Sequence, residues 1–314
     1  MAHFSGAFLL RTINTEDVVG CLGKQGARPE VVAGPAHLTL QGVCDSRHGG
    51  KGQLVFSTVK QYSTELGLSD SLVLIDELPE ESEMGTNQFL KVTDPRAAFI
   101  DLLQWLIRHV GLDAHKSGFS KIATVSKQAN ISPHAVVEPG VEIGEGTTVG
   151  AGAVIKSGTR IGNNTVIREN VVIGCDGVTV YRAKDGRLLK FPHVAGVLIG
   201  SNTEVGANAV IAGGILAPTT IDDDVVIGNL CNVGHGAVIG QGVWLSVGSL
   251  LGGHTTVHGG ATIAMGVRVR DNLVIGDGAS LGMGSVVVKS VGANHSVFGN
   301  PAKRMAGLKT GPKR

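Results

Sequence analysis

From Val125 onward the chain puts a branched aliphatic residue at every sixth position. Val125, Ile131, Val137, Ile143, Val149, Ile155, Ile161, Ile167 and Ile173 keep the beat without a miss. It returns at Ile199, Val205 and Ile211, steps ten residues to Ile221, and runs on through Ile227, Val233, Ile239, Leu245, Leu251, Val257, Ile263, Val269, Ile275, Leu281 and Val287. A helix repeats its apolar stripe near 3.6 residues and a plain strand near 2, so period six excludes both as the organising unit. It fits a parallel β-solenoid, in which each hexad is a short strand plus a corner and three hexads close a triangular coil. Twenty-four hexads make about eight coils. The aliphatic residue points inward, and a glycine after it, as at Gly144, Gly200 and Gly228, is expected to ease the corner backbone.

Composition agrees with many tight turns around an aliphatic core. Glycine is 47 of 314 residues and aromatics only 4%, while hydrophobic residues reach 42%, too many for low-complexity disorder. Net charge is +1, so no global field points to nucleic acid or an anionic membrane. The basic C-terminal residues Lys303, Arg304, Lys309, Lys313 and Arg314 read either as a solvated tail or as an anion-binding segment. Cys21, Cys44, Cys175 and Cys231 show no Cys-x-x-Cys spacing, so neither a metal site nor a disulfide framework is expected. No apolar run is long enough to span a bilayer, and the expectation is a cytoplasmic chain without a leader.

Between Ile173 and Ile199 lies "CDGVTVYRAKDGRLLKFPHVAG", rich in charge and carrying Tyr181, Phe191 and His193. It reads as a loop thrown out of the solenoid, either a carrier of binding residues or an ornament. Residues 1–120 lack the beat and are expected to form a small α+β domain. "LTLQGVCDS", "GQLVFSTV" and "SLVLIDEL" read as strands. "TDPRAAFIDLLQWLIRHVG" reads as a helix with Asp94 as N-cap, Pro95 at the first position and Gly111 as the stop. Phe99, Leu102, Leu103, Leu106, Ile107 and Val110 form its apolar face. The expected domains are therefore 1–120, a solenoid at 121–295, and a terminal segment at 296–314.

"GNLCNVGHGAVIG", residues 228–240, places His235 two positions after the inward Val233. An imidazole among packed aliphatics would leave its nitrogens without partners, so it is expected to face outward, as a solvated side chain or a working base. Eighteen residues make a coil, which puts His254 one coil on and one position along. A histidine near neutral pH can take a proton from an attacking amine and return it to a leaving thiolate.

The repeat resembles the left-handed β-helix of the hexapeptide acyltransferases, and its handedness is taken from that resemblance. "GVCDSRHGGKGQLVFSTVKQY", "SLVLIDEL" and "LKVTDPRAAFIDLL", with the loop "GRLLKFPHVAGVLIG", are similar to the UDP-3-O-acylglucosamine N-acyltransferases. The resemblance implies that the N-terminal domain binds uridine, with Phe56 and Tyr62 packing around the uracil. It makes His235 the general base and matches Asn229; His254, its neighbour by the coil spacing, is expected in the substrate site. Departures from that pattern fall at Val59, Gly228, Ala212–Gly213 and Val267. "VGHGAVIGQGVWLSVGSLLGG" and "FGNPAKRM" are similar instead to acetyl-CoA-dependent N-acetyltransferases of nucleotide-linked amino sugars. That likeness implies that Gly248 gives its amide to the thioester carbonyl, that Gly266 allows close approach of pantetheine, and that Lys303 meets the coenzyme phosphates.

The implied function is transfer of an acyl group from acyl-CoA or acyl carrier protein to the amine of a UDP-linked amino sugar, with no tightly bound cofactor. The lipid A pathway enzyme is a close variant, and homotrimers are implied, with Trp244 at an interface. A γ-carbonic-anhydrase-type zinc site would need His235, His254 and His258 to converge, and His258 opens the next face. A non-catalytic scaffold is the remaining alternative.

Overall fold

A computed structural model describes residues 6–24, 29–33, 38–44, 50–62, 67–113, 123–301 and 303–304. Lys309, Lys313 and Arg314 lie outside them. The chain divides into two units: residues 1–119 with 178–195, and residues 120–177 with 196–314. No helix among the described residues is long and apolar enough to cross a membrane.

The first unit is built on a seven-stranded mixed sheet. Its order is Glu30–Ala33, Gln88–Lys91, Leu72–Ile75, Gln53–Phe56, Thr39–Cys44, Gly6–Asn14, Leu112–Asp113. Helix α1 spans Thr15–Lys24, and helix α2 spans Pro95–His109 and packs on the strands Leu72–Ile75 and Gln53–Phe56. Asp94 caps α2 by accepting from the Ala97 amide, and Gly111 leaves it at φ +85°. Phe99, Leu102, Leu103 and Leu106 are buried, but Ile107 is exposed, so the apolar face is narrower than the sequence suggests.

The charged loop is a β-hairpin of Val180–Arg182 and Leu188–Lys190 that clusters with this first unit. Asp94 fastens it, accepting hydrogen bonds from the Tyr181 hydroxyl at 3.0 Å and the Lys184 amide at 2.9 Å. Arg187 pairs with Asp101 of α2.

The second unit is the solenoid. Its three faces carry eight, ten and eight strands, parallel throughout except for one terminal pair. Register confirms the arithmetic of the coil: Val233 pairs with Leu251, and Leu251 with Val269, each eighteen residues on. Ile161 pairs with Ile199, thirty-eight residues on, because the hairpin leaves and re-enters within that coil. Ile199 pairs with Ile221, twenty-two residues on, and the excess forms a bulge at Ala212–Pro218. Ser296–Phe298, where the terminal segment was expected to start, adds a further parallel strand on Ser280–Leu281.

Val233, Ile239 and Leu245 have no solvent exposure, and each such burial contributes about 1.5–3 kcal/mol. A second inward row of small residues sits two positions before each aliphatic, among them Cys231, Ala237, Val243 and Ser249. Several threonines in that row bond the adjacent coil through their hydroxyls, as Thr147 accepts from the Thr165 amide at 3.0 Å.

The glycine after each aliphatic has a different job from the one expected. A β-carbon on Gly234 would stand 2.5 Å from the Gly253 nitrogen of the next coil, so close coil stacking requires it. The left-handed corner residue comes two positions later, at Gly236 with φ +63°. The solenoid residues with this left-handed backbone are glycine, asparagine or aspartate, with two exceptions among the described residues, Leu230 and His254.

Candidate active site

Val233 points inward and Ala237 is buried, so His235 between them sits at the tip of the corner joining the third face to the first. One coil on, Gly253 holds the same place, and Asp271 holds it one coil further. The His254 amide donates to the His235 carbonyl at 2.8 Å, which locks the two corners in register. The imidazoles of His235 and His254 meet edge to face, with centroids 4.8 Å apart and planes at 82°.

Two glycines make this pairing possible. A β-carbon on Gly253 would lie 2.4 Å from His235 Nε2, and one on Gly236 would lie 2.6 Å from His254 Nδ1. Each ring therefore rests over the glycine that neighbours the other histidine. Both residues are half-buried, whereas the corresponding corner residues Glu145 and Gly146 are exposed. Burial holds the His235 pKa below its ordinary value, against the upward pull of the Asp271 charge. The ring is therefore a neutral base near pH 7.

The bulge at Ala212–Pro218 is anchored at this corner. Thr219 Oγ1 accepts from the Gly236 amide at 2.9 Å and donates to the Ala212 carbonyl at 2.6 Å. The Gly253 amide has no acceptor among the described residues. The same residue lies under the His235 ring through its α-carbon, where a β-carbon would meet Nε2.

The other expected site residues fall elsewhere. Gly248 and Gly266 lie one corner earlier in the coil, and their amides are engaged, Gly248 with the Asn229 carbonyl at 2.9 Å and Gly266 with the Val247 carbonyl at 3.0 Å. The Gly248 amide is thus engaged within the solenoid, and Gly253 is the glycine beside His235. Gly266 does present open backbone, with nothing within 4 Å of a built β-carbon. Asn229 uses its side-chain carbonyl to accept from the Ala207 amide at 2.8 Å, which ties two coils together. Val267 is an inward corner residue with no solvent exposure. Lys303 is exposed on the short strand Lys303–Arg304.

Phe56 and Tyr62 are not brought together. Phe56 packs on Phe99 of α2 at 4.8 Å. The Tyr62 ring meets Phe89 at 5.2 Å, in a cluster with Val55, and its hydroxyl accepts from Asn87 at 3.2 Å. Val55 and Phe56 are consecutive on one strand and face opposite sides of the sheet. The two rings are thus placed on opposite faces of the strand Gln53–Phe56. Among the described residues no group of three or more His, Cys, Asp or Glu could hold a metal ion, so His258 does not complete a zinc triad.

Gly253 and Asp271 were missed in the sequence, although steps of eighteen from His235 land on both.

Residues 123–157 match the family model described as bacterial transferase hexapeptide (six repeats). A probable UDP-3-O-acylglucosamine N-acyltransferase 2, mitochondrial, from Arabidopsis thaliana is 34% identical over 132 residues, 41% of this chain and 43% of that protein. A UDP-3-O-acylglucosamine N-acyltransferase from Shewanella denitrificans is 31% identical over 119 residues, 38% of this chain and 35% of that protein. The matched stretches thus span less than half the length of these relatives. Among solved structures, LpxA from Acinetobacter baumannii superposes with a TM-score of 0.53 at 21% identity, covering 58% of this chain and 69% of that one. A UDP-N-acetylglucosamine acyltransferase from Campylobacter jejuni gives 0.51 at 21% identity, covering 58% and 72%. The second unit is a hexapeptide-repeat β-solenoid with the fold of these structures, and the chain is similar in sequence, over about two fifths of its length, to named UDP-3-O-acylglucosamine N-acyltransferases.

Proposed function

We propose that the protein transfers an acyl group from a thioester to the amine of a UDP-linked amino sugar, with His235 as general base. The observation that carries this reading is the convergence, at one corner, of a neutral imidazole and an amide with no acceptor among the described residues. The amine attacks the thioester carbonyl and His235 takes its proton. The tetrahedral oxyanion accepts a hydrogen bond from the Gly253 amide. Collapse breaks the carbon–sulfur bond, and the imidazolium returns its proton to the thiolate, leaving an amide and a free thiol.

The acceptor class rests on the names of the relatives. The donor is carried by coenzyme A or acyl carrier protein. Exposed Lys303 suits the phosphates that both carriers bear, and Gly266 offers a backbone surface for pantetheine. Exposed apolar side chains, including Trp244 at 51%, support self-association as a homotrimer.

The test is mass spectrometry of a UDP-linked amino sugar with a free amine, incubated with the protein and a series of acyl-CoA and acyl carrier protein donors. A mass gain of one acyl group on the sugar supports the reading. An unmodified sugar with every donor overturns it.

A further inference from the structure

His254 is, with Leu230, one of two left-handed corner residues in the described solenoid that are not glycine, asparagine or aspartate. Its φ is +55°, and a β-carbon in that region costs about 1–2 kcal/mol. Asn272, the next residue in the same column, shows what the position ordinarily takes, at φ +58°. The ring bought by this strain lies against the His235 imidazole, at 4.8 Å and 82°. Gly236 has given up any side chain where the His254 ring lies, and Gly253 has done the same for His235. The two histidines and two glycines are thus interlocked across adjacent coils, with the His254 amide bonded to the His235 carbonyl.

We propose that His254 is a positioning residue for His235: its ring fixes the orientation of the base and screens one side of it from water, so that Nε2 stays beside Gly253. This rests on His235 being the base of the acyl transfer. It assigns His254 a role that needs no contact with the sugar. Among the titratable groups that bear on His235 are Asp271, whose charge pulls its pKa upward, and His254, whose ring lies against it; the bulge and Thr219 on the preceding coil carry no charge. Two physical consequences follow. Without the His254 ring, water reaches His235 and its protonation moves back toward ordinary histidine behaviour. The base also samples other rotamers, so turnover falls while affinity for the sugar does not.

The test is His254→Asn, the residue that Asn272 carries without strain, with His254→Gly as a second variant that removes the ring at no backbone cost. Proton NMR of the full chain follows the His235 ring signals against pH, and steady-state kinetics are measured in parallel. In both variants the His235 titration is expected to move upward, and kcat to fall by about tenfold or more with KM for the amino sugar within about twofold. An unmoved His235 titration overturns the proposal. So does a rise in KM with kcat intact, which would make His254 a substrate contact. Because the titration needs no substrate, the two readings fail separately. A shifted titration in a protein that transfers no acyl group sinks the acyltransferase and keeps the pairing, and an unshifted one in an active enzyme does the reverse.

Discussion

The imidazole of His235 fills the space that a side chain at residue 253 would need: a β-carbon on Gly253 would stand 2.4 Å from Nε2. Gly253→Ala must therefore displace the base. The expected outcome is a loss of about a hundredfold in kcat/KM with the melting temperature nearly unchanged. Gly248→Ala is the control, since its β-carbon meets open space and its amide is engaged with Asn229. That variant should lose about 1–2 kcal/mol of stability from its left-handed backbone and keep its rate. Equal rates in the two variants would contradict the assignment of the donor amide.

The pH dependence follows from burial. Burial lowers the His235 pKa and the Asp271 charge only partly offsets it, so the acid limb of kcat/KM should fall below about 6.5. Asp271→Asn removes the opposing pull and should move the limb lower still. The stability effect has a definite sign. The unfolded chain takes up this proton at the ordinary value, before the folded one does. Stability is therefore lost as pH drops from the ordinary value toward the lower folded one. A limb above 6.5, or one that rises in Asp271→Asn, would contradict this account.

Asp94 does three jobs, capping α2 and holding Tyr181 and Lys184 of the hairpin. A bare N-cap contributes about 1 kcal/mol. Asp94→Ala should cost about 2–3 kcal/mol in urea unfolding, because two further charge-assisted bonds go with it. Hydrogen exchange should show the Lys184 amide losing protection together with that of Ala97.

Leu230 is an exposed leucine in left-handed backbone, at φ +60° and 60% exposure, where other corners use asparagine or glycine. Leu230→Asn should stabilise the chain by about 1 kcal/mol in the same urea experiment. A loss of stability would show that the leucine packs on something that offsets its strain.

How much of this was legible in the sequence depended on whether a feature travels with side-chain period. The inward rungs did, because a residue such as Val233 can only stack on Leu251 and Val269 if the spacing is regular. The His235–His254 pairing came from the same arithmetic. Gly253 and Asp271 obeyed it too, but a glycine announces no chemistry until a ring is seen lying over it. The partner of the Gly248 amide, the Asn229 carbonyl nineteen residues back, repeats from corner to corner and shows only once the coils are stacked. Phe56 and Tyr62 suggested a platform by type, and strand alternation at Val55–Phe56 separates them. The strands Gly6–Asn14 and Gln88–Lys91 and helix α1 carry no strong period of their own and take their place from the sheet they complete.

The central claim is that His235 is the base for acyl transfer to an amine. Its most direct test is thiol release from an acyl thioester in the presence of a UDP-linked amino sugar, comparing the protein with His235→Ala. The account predicts release that requires both substrates and falls by a factor of at least about a hundred in the variant, whose circular dichroism melt matches that of the parent. Undiminished release from His235→Ala would contradict it.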